Sequence, residues 1–214
     1  MLWSTAIRRG YYWLTRSIRT FTIDQHSYHY FCHPYNTTWA NERIVEVPII
    51  WREVQRYQPQ RVLEIGNVLH HYFPIKHWVV DKYEKAPGVI NRDVVEFYPR
   101  QRFDLIVAIS TLEHVGWDES PPQPRKFLKA LKHLMSLLSD HGQLWMTLPV
   151  GYQPTVNKWI FRAIHQPGFN LSALLRLDIA NHWQQVPLNR VKNCQYNHPF
   201  RNANAVVVVR YEMD

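Results

Sequence analysis

Three short runs of consecutive apolar residues dominate the hydrophobic pattern between residues 61 and 115. They occupy residues 61–66, 77–81 and 103–110. Because the apolar positions do not alternate with polar ones and are mostly β-branched, the pattern predicts strands covered on both faces of a parallel sheet. Ligands bind beyond the carboxyl ends of such strands. We therefore expect the chemistry of this chain at Gly66, Asp81 and Ser110 and in the residues that follow them.

Helical spacing of apolar residues predicts three helices around these strands. They cover residues 38–57, 124–138 and 155–165. Asn36 or Thr37 is the expected N-cap of the first helix, and Pro48 should kink or split it. Further strands are predicted at residues 143–150, 171–179 and 203–212. An alternation of strands and helices is typical of an α/β domain.

The first 35 residues are predicted to form an extension in front of a domain that covers residues 36–214. Residues 1–20 carry apolar residues near a helical period with four arginines between them, so they predict a basic amphipathic helix. Such a helix can lie on a membrane surface, or it can pack on the domain over its binding site. Residues 20–23 and 27–31 flank a polar turn and predict a β-hairpin, expected to help close the pocket.

Histidine and cysteine side chains at positions 26, 29, 32 and 33 of this hairpin are of types that bind zinc. Successive residues of a strand point to opposite faces, so His26 and His29 lie on different sides of it. The spacing does not suit one ion. We therefore expect no metal site.

Composition is that of a soluble globular protein, with 46% hydrophobic and 20% charged residues in 214. No apolar run approaches the roughly 18 residues of a membrane span. Cys32 and Cys194 form no motif, and no signal-peptide pattern opens the sequence. The expected location is therefore cytoplasmic, with membrane association through residues 1–20 as an alternative.

The net charge of +8 is concentrated in the flanks of the chain. Residues 1–35 hold four arginines against one aspartate, and residues 150–214 hold seven basic residues against three acidic ones. A basic surface can attract nucleic acid or anionic lipid. Since no nucleic-acid-binding motif accompanies it, we interpret it as a solvated face and expect no nucleic-acid partner. The sequence makes no prediction of oligomeric state.

The turn after the first strand has only the first glycine of a glycine-rich loop. It reads Gly66-Asn67-Val68, which argues against a dinucleotide site because the pyrophosphate depends on that loop. Only eleven residues separate Asp81 from Asp93. A parallel crossover usually needs about a dozen residues or more. The helix usually found between the strand that ends at Asp81 and the strand before Asp93 should therefore be missing or reduced to a turn.

These segments resemble the motifs of class I S-adenosylmethionine-dependent methyltransferases. The resemblance rests on Gly66, on the acids Asp81 and Asp93, and on residues 103–115 with their Leu-Glu-His ending. It covers residues 60–150 by motif and residues 150–214 by the order of elements. It implies a Rossmann-like, mostly parallel sheet with an antiparallel last strand, S-adenosyl-L-methionine as cofactor, and methyl transfer.

The resemblance also implies roles for individual residues. Asp81 would bind the ribose hydroxyls, Asp93 would lie near the adenine amino group, and Glu64 would organise the loop beneath the cofactor. Gly66, Asn67, Ser110 and Glu113 complete the cofactor-binding set.

Two of these roles have structural alternatives. His114 is the candidate general base, because an imidazole titrates near neutral pH, but it could equally cap the following helix and pack the pocket floor. Asp81 could be an N-cap or a turn residue. Asp104, at the start of its strand, is expected to be structural.

The acceptor implied by the resemblance is a small molecule, a sugar or a lipid-linked glycan, methylated on oxygen or nitrogen. The segment after Ser110 lacks the Asn/Asp-Pro-Pro-Tyr signature of enzymes that methylate planar amino groups. Residues 116–124 and 149–152 are expected to border the substrate. Two other hypotheses stay open: a non-catalytic module of methyltransferase fold that serves a larger complex, and an RNA-binding protein.

Overall fold

The structure is a computed structural model that describes residues 19–212. Its strands are β1 (Thr20–Ile23), β2 (His26–His29), β3 (Val62–Ile65), β4 (Trp78–Val80), β5 (Val89–Ile90), β6 (Phe103–Ile109), β7 (Leu138–Pro149), β8 (Phe169–Arg176), β9 (Trp183–Val186) and β10 (Ala205–Glu212). Its α-helices are α1 (Arg43–Val54), α2 (Lys126–Ser136) and α3 (Pro154–Ala163). Short 3-10 helices lie at Tyr35–Ala40, Pro59–Arg61, Leu69–His71, Val94–Glu96, Leu112–His114 and Leu188–Val191. Within these residues, no helix is long and apolar enough to cross a membrane.

The central sheet has the strand order β5-β4-β3-β6-β7-β10-β8-β9. Strands β5, β4, β3, β6 and β7 pair in parallel, whereas β10 is antiparallel to both of its neighbours. The predicted α/β fold with a mostly parallel sheet and an antiparallel last strand is therefore confirmed. The edge strand β9 was not predicted, because Gln184 and Gln185 occupy its centre and break the apolar pattern.

Both faces of the sheet are covered, which explains why its strands read as continuous apolar runs. Along β6, Ile106 and Ala108 face the core under α2 and α3, whereas Leu105 and Val107 face the core under α1 and the hairpin. Both cores are fully buried along this strand. The end of β6, where site residues are predicted, therefore lies between two packed layers.

The first helix begins later than predicted. Residues 35–40 form a 3-10 segment in which Asn36 and Thr37 have positive φ angles of 52° and 42°, so neither is an N-cap. The α-helix starts at Arg43, and Glu42 occupies the N-cap position without a side-chain cap bond. Apolar spacing could not predict this, because Trp39 keeps the helical period in the 3-10 segment.

Pro48 does not split this helix, since α1 runs through it from Arg43 to Val54. Proline cannot donate to the carbonyl four residues earlier, which is that of Ile44. That carbonyl instead accepts a hydrogen bond of 2.9 Å from the Phe31 amide. A neighbouring segment thus replaces the lost helical bond.

As expected, no helix lies between Asp81 and Asp93 in the described structure, and turns and β5 occupy this stretch. The connection after β3, residues 66–77, is also short and holds one 3-10 turn. Aromatic packing fills the corresponding face of the sheet. Trp51 stacks on Phe73 at 4.0 Å between ring centroids, and Phe31 contacts Phe73 at 5.5 Å.

The predicted hairpin is present, and its turn residues Asp24 and Gln25 have φ angles of 49° and 65°, as a type I′ turn requires. It packs on the far edge of the sheet, where Asp24 accepts from the Ser172 hydroxyl and the Trp183 amide donates to Tyr30 at 2.9 Å. The expectation that it closes the pocket is wrong, because residues 19–33 line neither cavity described below. The predicted helix of residues 1–20 falls on residues 1–18, outside the described part, and on the start of β1.

Candidate active site

A cavity of about 480 Å³ opens at the carboxyl ends of β3, β4 and β6. This is where a parallel sheet binds ligands, and the volume lies within the range of small-molecule sites. Six of the eight predicted site residues line it, namely Gly66, Asn67, Asp81, Asp93, Ser110 and His114. Of the other two, Glu64 lies beneath the cavity and Glu113 lines a neighbouring one. We call the larger space the first cavity.

The turn after β3 brings backbone to the edge of this cavity. Gly66 has a φ of +84°, and a Cβ there would lie 2.4 Å from the Thr111 hydroxyl oxygen, so only glycine fits. Buried Glu64 accepts hydrogen bonds from the amides of Val68 (2.9 Å) and Leu69 (2.7 Å). Its other oxygen contacts His77 at 2.7 Å. Glu64 therefore holds the turn in place from below.

The carboxylate of Asp81 organises the loops on both sides of the cavity. It accepts from the amides of Asn67 (3.0 Å), Tyr83 (2.8 Å) and Glu84 (2.8 Å). A carboxylate offers about four lone-pair sites, so about one remains for a ligand. The turn role and the ligand role, which were alternatives in the sequence, are thus compatible.

The side-chain oxygen of Asn67 is a second group that faces a ligand. It is buried and has no hydrogen-bond partner among residues 19–212, whereas its amide nitrogen donates to Glu84 at 2.7 Å. A buried acceptor without a donor is costly. A donor group of a bound molecule would remove that cost.

Asp93 belongs to an ionic cluster that the sequence did not predict. Its Oδ2 contacts the ammonium groups of Lys82 (2.9 Å) and Lys126 (2.5 Å), and Glu119 contacts the same two lysines at 2.8 and 2.6 Å. We call these four residues the paired cluster. Burial acts to raise the pKa of Asp93, but the hydrogen bonds from both lysines outweigh it and lower that pKa. Only 12% of the Lys126 side chain is exposed.

His114 stands at the junction of two cavities, on the 3-10 turn that follows β6. Its Nδ1 lies 2.5 Å from Asp118, which also accepts a hydrogen bond of 2.8 Å from the Tyr152 hydroxyl. Asp118 and Tyr152 come from the two segments expected to border the substrate. When Nδ1 donates to Asp118, the lone pair of Nε2 is free to take a proton. The base role of His114 stays a prediction.

A second cavity of about 200 Å³ adjoins the first. The two share Asn36, Arg43, Ser110 and His114. The rest of the second cavity is lined by Asn41, Glu42, Glu113, Pro149, Tyr152, Tyr196 and Asn202.

Glu113 lines this second cavity and is 1% exposed. Neither of its carboxylate oxygens accepts a hydrogen bond from the described residues, and its contact with His114 Nε2 is long at 3.6 Å. Burial raises the pKa of Glu113 well above its usual value. A carboxyl without hydrogen bonds is therefore held next to His114.

Three buried acids surround one arginine at this cavity. Arg43 forms an ion pair with Glu46 at 2.8 Å and donates to the Ile109 carbonyl at the end of β6. Glu42 accepts the Ala203 amide at 3.1 Å, and burial followed by the charge of Glu46 raises its pKa. We call Glu42, Arg43, Glu46 and Glu113 the acid-rich cluster. Sequence analysis missed three of them, although two acids one helical turn apart in an apolar helix were a usable signal.

Comparisons with known proteins show the fold. No family model and no curated protein matches the chain. Among solved structures, the N-methyltransferase NodS from Bradyrhizobium japonicum, in complex with S-adenosyl-L-homocysteine, is similar with a TM-score of 0.50 and 13% identity over 80% of this chain and 86% of that one. An rRNA methylase from Streptococcus thermophilus has a TM-score of 0.48 and 13% identity over 79% and 97%. The likeness to NodS shows that this chain has the class I methyltransferase fold, as the sequence predicted.

Proposed function

We propose that this chain is an S-adenosyl-L-methionine-dependent methyltransferase that acts on a small-molecule, sugar or lipid-linked acceptor. The observation that carries the proposal is the first cavity, which combines Gly66, Asn67 and Asp81 at the carboxyl ends of adjacent strands. When bound, the cofactor would supply a methyl group on a sulfonium, ready for attack by a nucleophile. The protein then has to bind the acceptor, align its nucleophilic atom with the methyl group and remove a proton from it.

The residues of the first cavity fit a nucleoside ligand. Asp81 keeps about one lone-pair site for a ribose hydroxyl, and the buried oxygen of Asn67 lacks a donor within the described structure. Gly66, with its positive φ, lets the chain turn tightly against Thr111 at the edge of this cavity. Asp93 would serve the adenine amino group through Oδ1, since both lysines bind Oδ2.

His114 is the candidate base for a proton leaving the acceptor. Asp118 fixes the orientation of the imidazole through Nδ1, which leaves Nε2 toward the junction of the cavities. Transfer of the proton to Nε2 would free the nucleophile's lone pair for attack.

A second candidate function is a non-catalytic module of methyltransferase fold. It is favoured by the short connection after β3, which has one 3-10 turn and a single glycine. Ligand binding separates the two functions.

The experiment is calorimetric titration with S-adenosylmethionine and S-adenosylhomocysteine. We expect micromolar binding to the wild type and its loss in Asp81→Ala. Asp104→Ala is the matched control, because Asp104 pairs with Arg61 at the opposite end of β6 and should leave binding unchanged. Thermal unfolding must show that Asp81→Ala is folded, since Asp81 also accepts three backbone amides. Failure of both ligands to bind folded wild type would reject the enzyme in favour of the module.

A further inference from the structure

The second cavity is polar on nearly every side. Pro149 is the one apolar residue among the described residues that line it, and the others offer amide, hydroxyl, carboxyl, imidazole and guanidinium groups. Its volume of about 200 Å³ lies below the usual range for a whole drug-sized ligand. It is therefore suited to one small, hydrogen-bonding part of a molecule.

The charges of this cavity favour a cation. Arg43 is already paired with Glu46, and the other basic side chain of the cavity, His114, stands 3.6 Å from Glu113, so neither forms a hydrogen-bonded ion pair with Glu42 or Glu113. An anion would meet two buried acids there. A neutral hydroxyl could donate one hydrogen bond but would leave the charge uncompensated.

The carboxyl of Glu113 is the group that points to a specific ligand. It is 1% exposed, lines the cavity, and accepts no hydrogen bond from residues 19–212. Buried polar groups in native proteins nearly always have partners, and an exception calls for an explanation. A primary ammonium brings three N–H donors and a positive charge, which matches two unbonded oxygens next to a second acid.

We propose that the second cavity is the acceptor site of the methyl transfer and that it takes a small polar primary amine, held through its nitrogen by Glu113. This inference rests on the proposed function, because it identifies the substrate class of the same site. The four residues shared by the two cavities make them adjacent, so an amine at Glu113 lies beside the space assigned to the cofactor.

The reaction at this site balances with the groups already described. The bound ammonium gives one proton to the Glu113 carboxylate and becomes a neutral amine. Its lone pair forms a bond to the methyl carbon, the carbon–sulfur bond breaks, and that electron pair goes to sulfur. The products are a methylated ammonium and a neutral thioether, and the proton on Glu113 leaves through His114 Nε2, 3.6 Å away. The raised pKa of Glu113 makes its carboxylate a better proton acceptor.

The cofactor also carries a primary ammonium, on its amino-acid part. The shared chemistry means that binding of an amine alone does not identify the source. The test therefore measures cofactor binding and acceptor binding separately.

The test is titration of the protein, saturated with S-adenosylhomocysteine, with 2-amino-1,3-propanediol and with glycerol. These probes differ only in an amine or a hydroxyl on the central carbon. We expect the amine to bind at least tenfold more tightly than glycerol, and this preference to disappear in Glu113→Gln. The affinity of that variant for S-adenosylhomocysteine is measured in parallel, because the family resemblance assigns Glu113 to the cofactor whereas its side chain lines the second cavity. Glu53→Gln is the control, since it also replaces a buried acid of the chain, one paired with Arg56 away from both cavities.

Each outcome decides between the possibilities. Equal binding of the two probes, or binding of neither to protein that binds S-adenosylhomocysteine, would overturn the amine site. Loss of S-adenosylhomocysteine binding in folded Glu113→Gln would assign Glu113 to the cofactor and overturn the inference, with the proposed function intact. A preference for the amine that depends on Glu113, in protein that binds no S-adenosylhomocysteine, would reject the methyltransferase and keep the amine site.

Discussion

The paired cluster and the acid-rich cluster lie at the same edge of the sheet, yet they are built differently. In the paired cluster two acids meet two lysines, and every contact measures between 2.5 and 2.9 Å. In the acid-rich cluster three acids share one arginine, and one acid has no hydrogen bond within the described structure. A balanced cluster can hold loops together by itself. A buried cluster with an excess of acids is instead stabilised when a ligand of opposite charge binds to it.

The pKa values of the acids shift in opposite directions in the two clusters, although burial acts to raise the pKa in both. Hydrogen bonds from the lysines overcome burial and lower the pKa of Asp93 and of Glu119. Burial prevails at Glu42 and Glu113, and raises the pKa of each. The same residue type therefore holds its negative charge more firmly in the paired cluster and takes up a proton more readily in the acid-rich cluster.

The largest effect should follow from removal of the single cation of the acid-rich cluster. Arg43→Met leaves Glu46 buried without its partner and removes donors from the Ile109 carbonyl. Since loss of one member of a buried ion pair costs about 3–5 kcal/mol, we expect the free energy of unfolding to fall by that amount. Chemical denaturation measures it.

Arg61→Met is the control for this variant, because Arg61 also pairs with an acid, Asp104, but both side chains are 39% exposed. It should cost at most about 1 kcal/mol. A similar loss in both variants would mean that burial does not distinguish the two ion pairs.

A smaller effect is expected for Lys126→Met in the paired cluster. Lys82 still compensates Asp93 and Glu119, so neither acid is left alone. We expect a loss of about 2 kcal/mol in the free energy of unfolding, below that of Arg43→Met. Lys129→Met, on the exposed side of the same helix, should change it by no more than about 0.5 kcal/mol. Greater destabilisation by Lys126→Met than by Arg43→Met would reverse the comparison.

The sequence predicted the scaffold better than these clusters, for a physical reason. A strand that is buried on both faces has a continuous run of apolar residues, so residues 103–109 could be predicted to form β6 from their own composition. The site residues found in advance, such as Gly66 and Asp81, follow directly from strand ends. The edge strand β9 has no such apolar run.

The clusters depend on segments far apart in the chain. Apolar spacing predicted a helix over residues 38–57 but not the burial of Glu42 and Glu46, which follows from the packing of this segment against the sheet. Glu113 meets them only because β6 ends beneath that helix. Tertiary packing, which no local pattern records, thus decides which acids are paired.

The smallest effect is a difference in pH dependence between Glu113→Gln and Asp93→Asn. The folded-state pKa of Glu113 is raised, so its contribution to stability is present below the unfolded value near 4.5 and is lost as the pH rises through the folded pKa. That of Asp93 is lowered, so its contribution is present above the unfolded value near 3.8 and is lost as the pH falls through the folded pKa. Relative to Glu113→Gln, the wild type should therefore lose stability as the pH rises from the unfolded value near 4.5 toward the raised folded pKa. Relative to Asp93→Asn, the wild type should lose stability only in acid. Chemical denaturation of the wild type and both variants at several pH values measures these differences. If the two differences in the free energy of unfolding changed with pH in the same way, the two clusters would not differ as described.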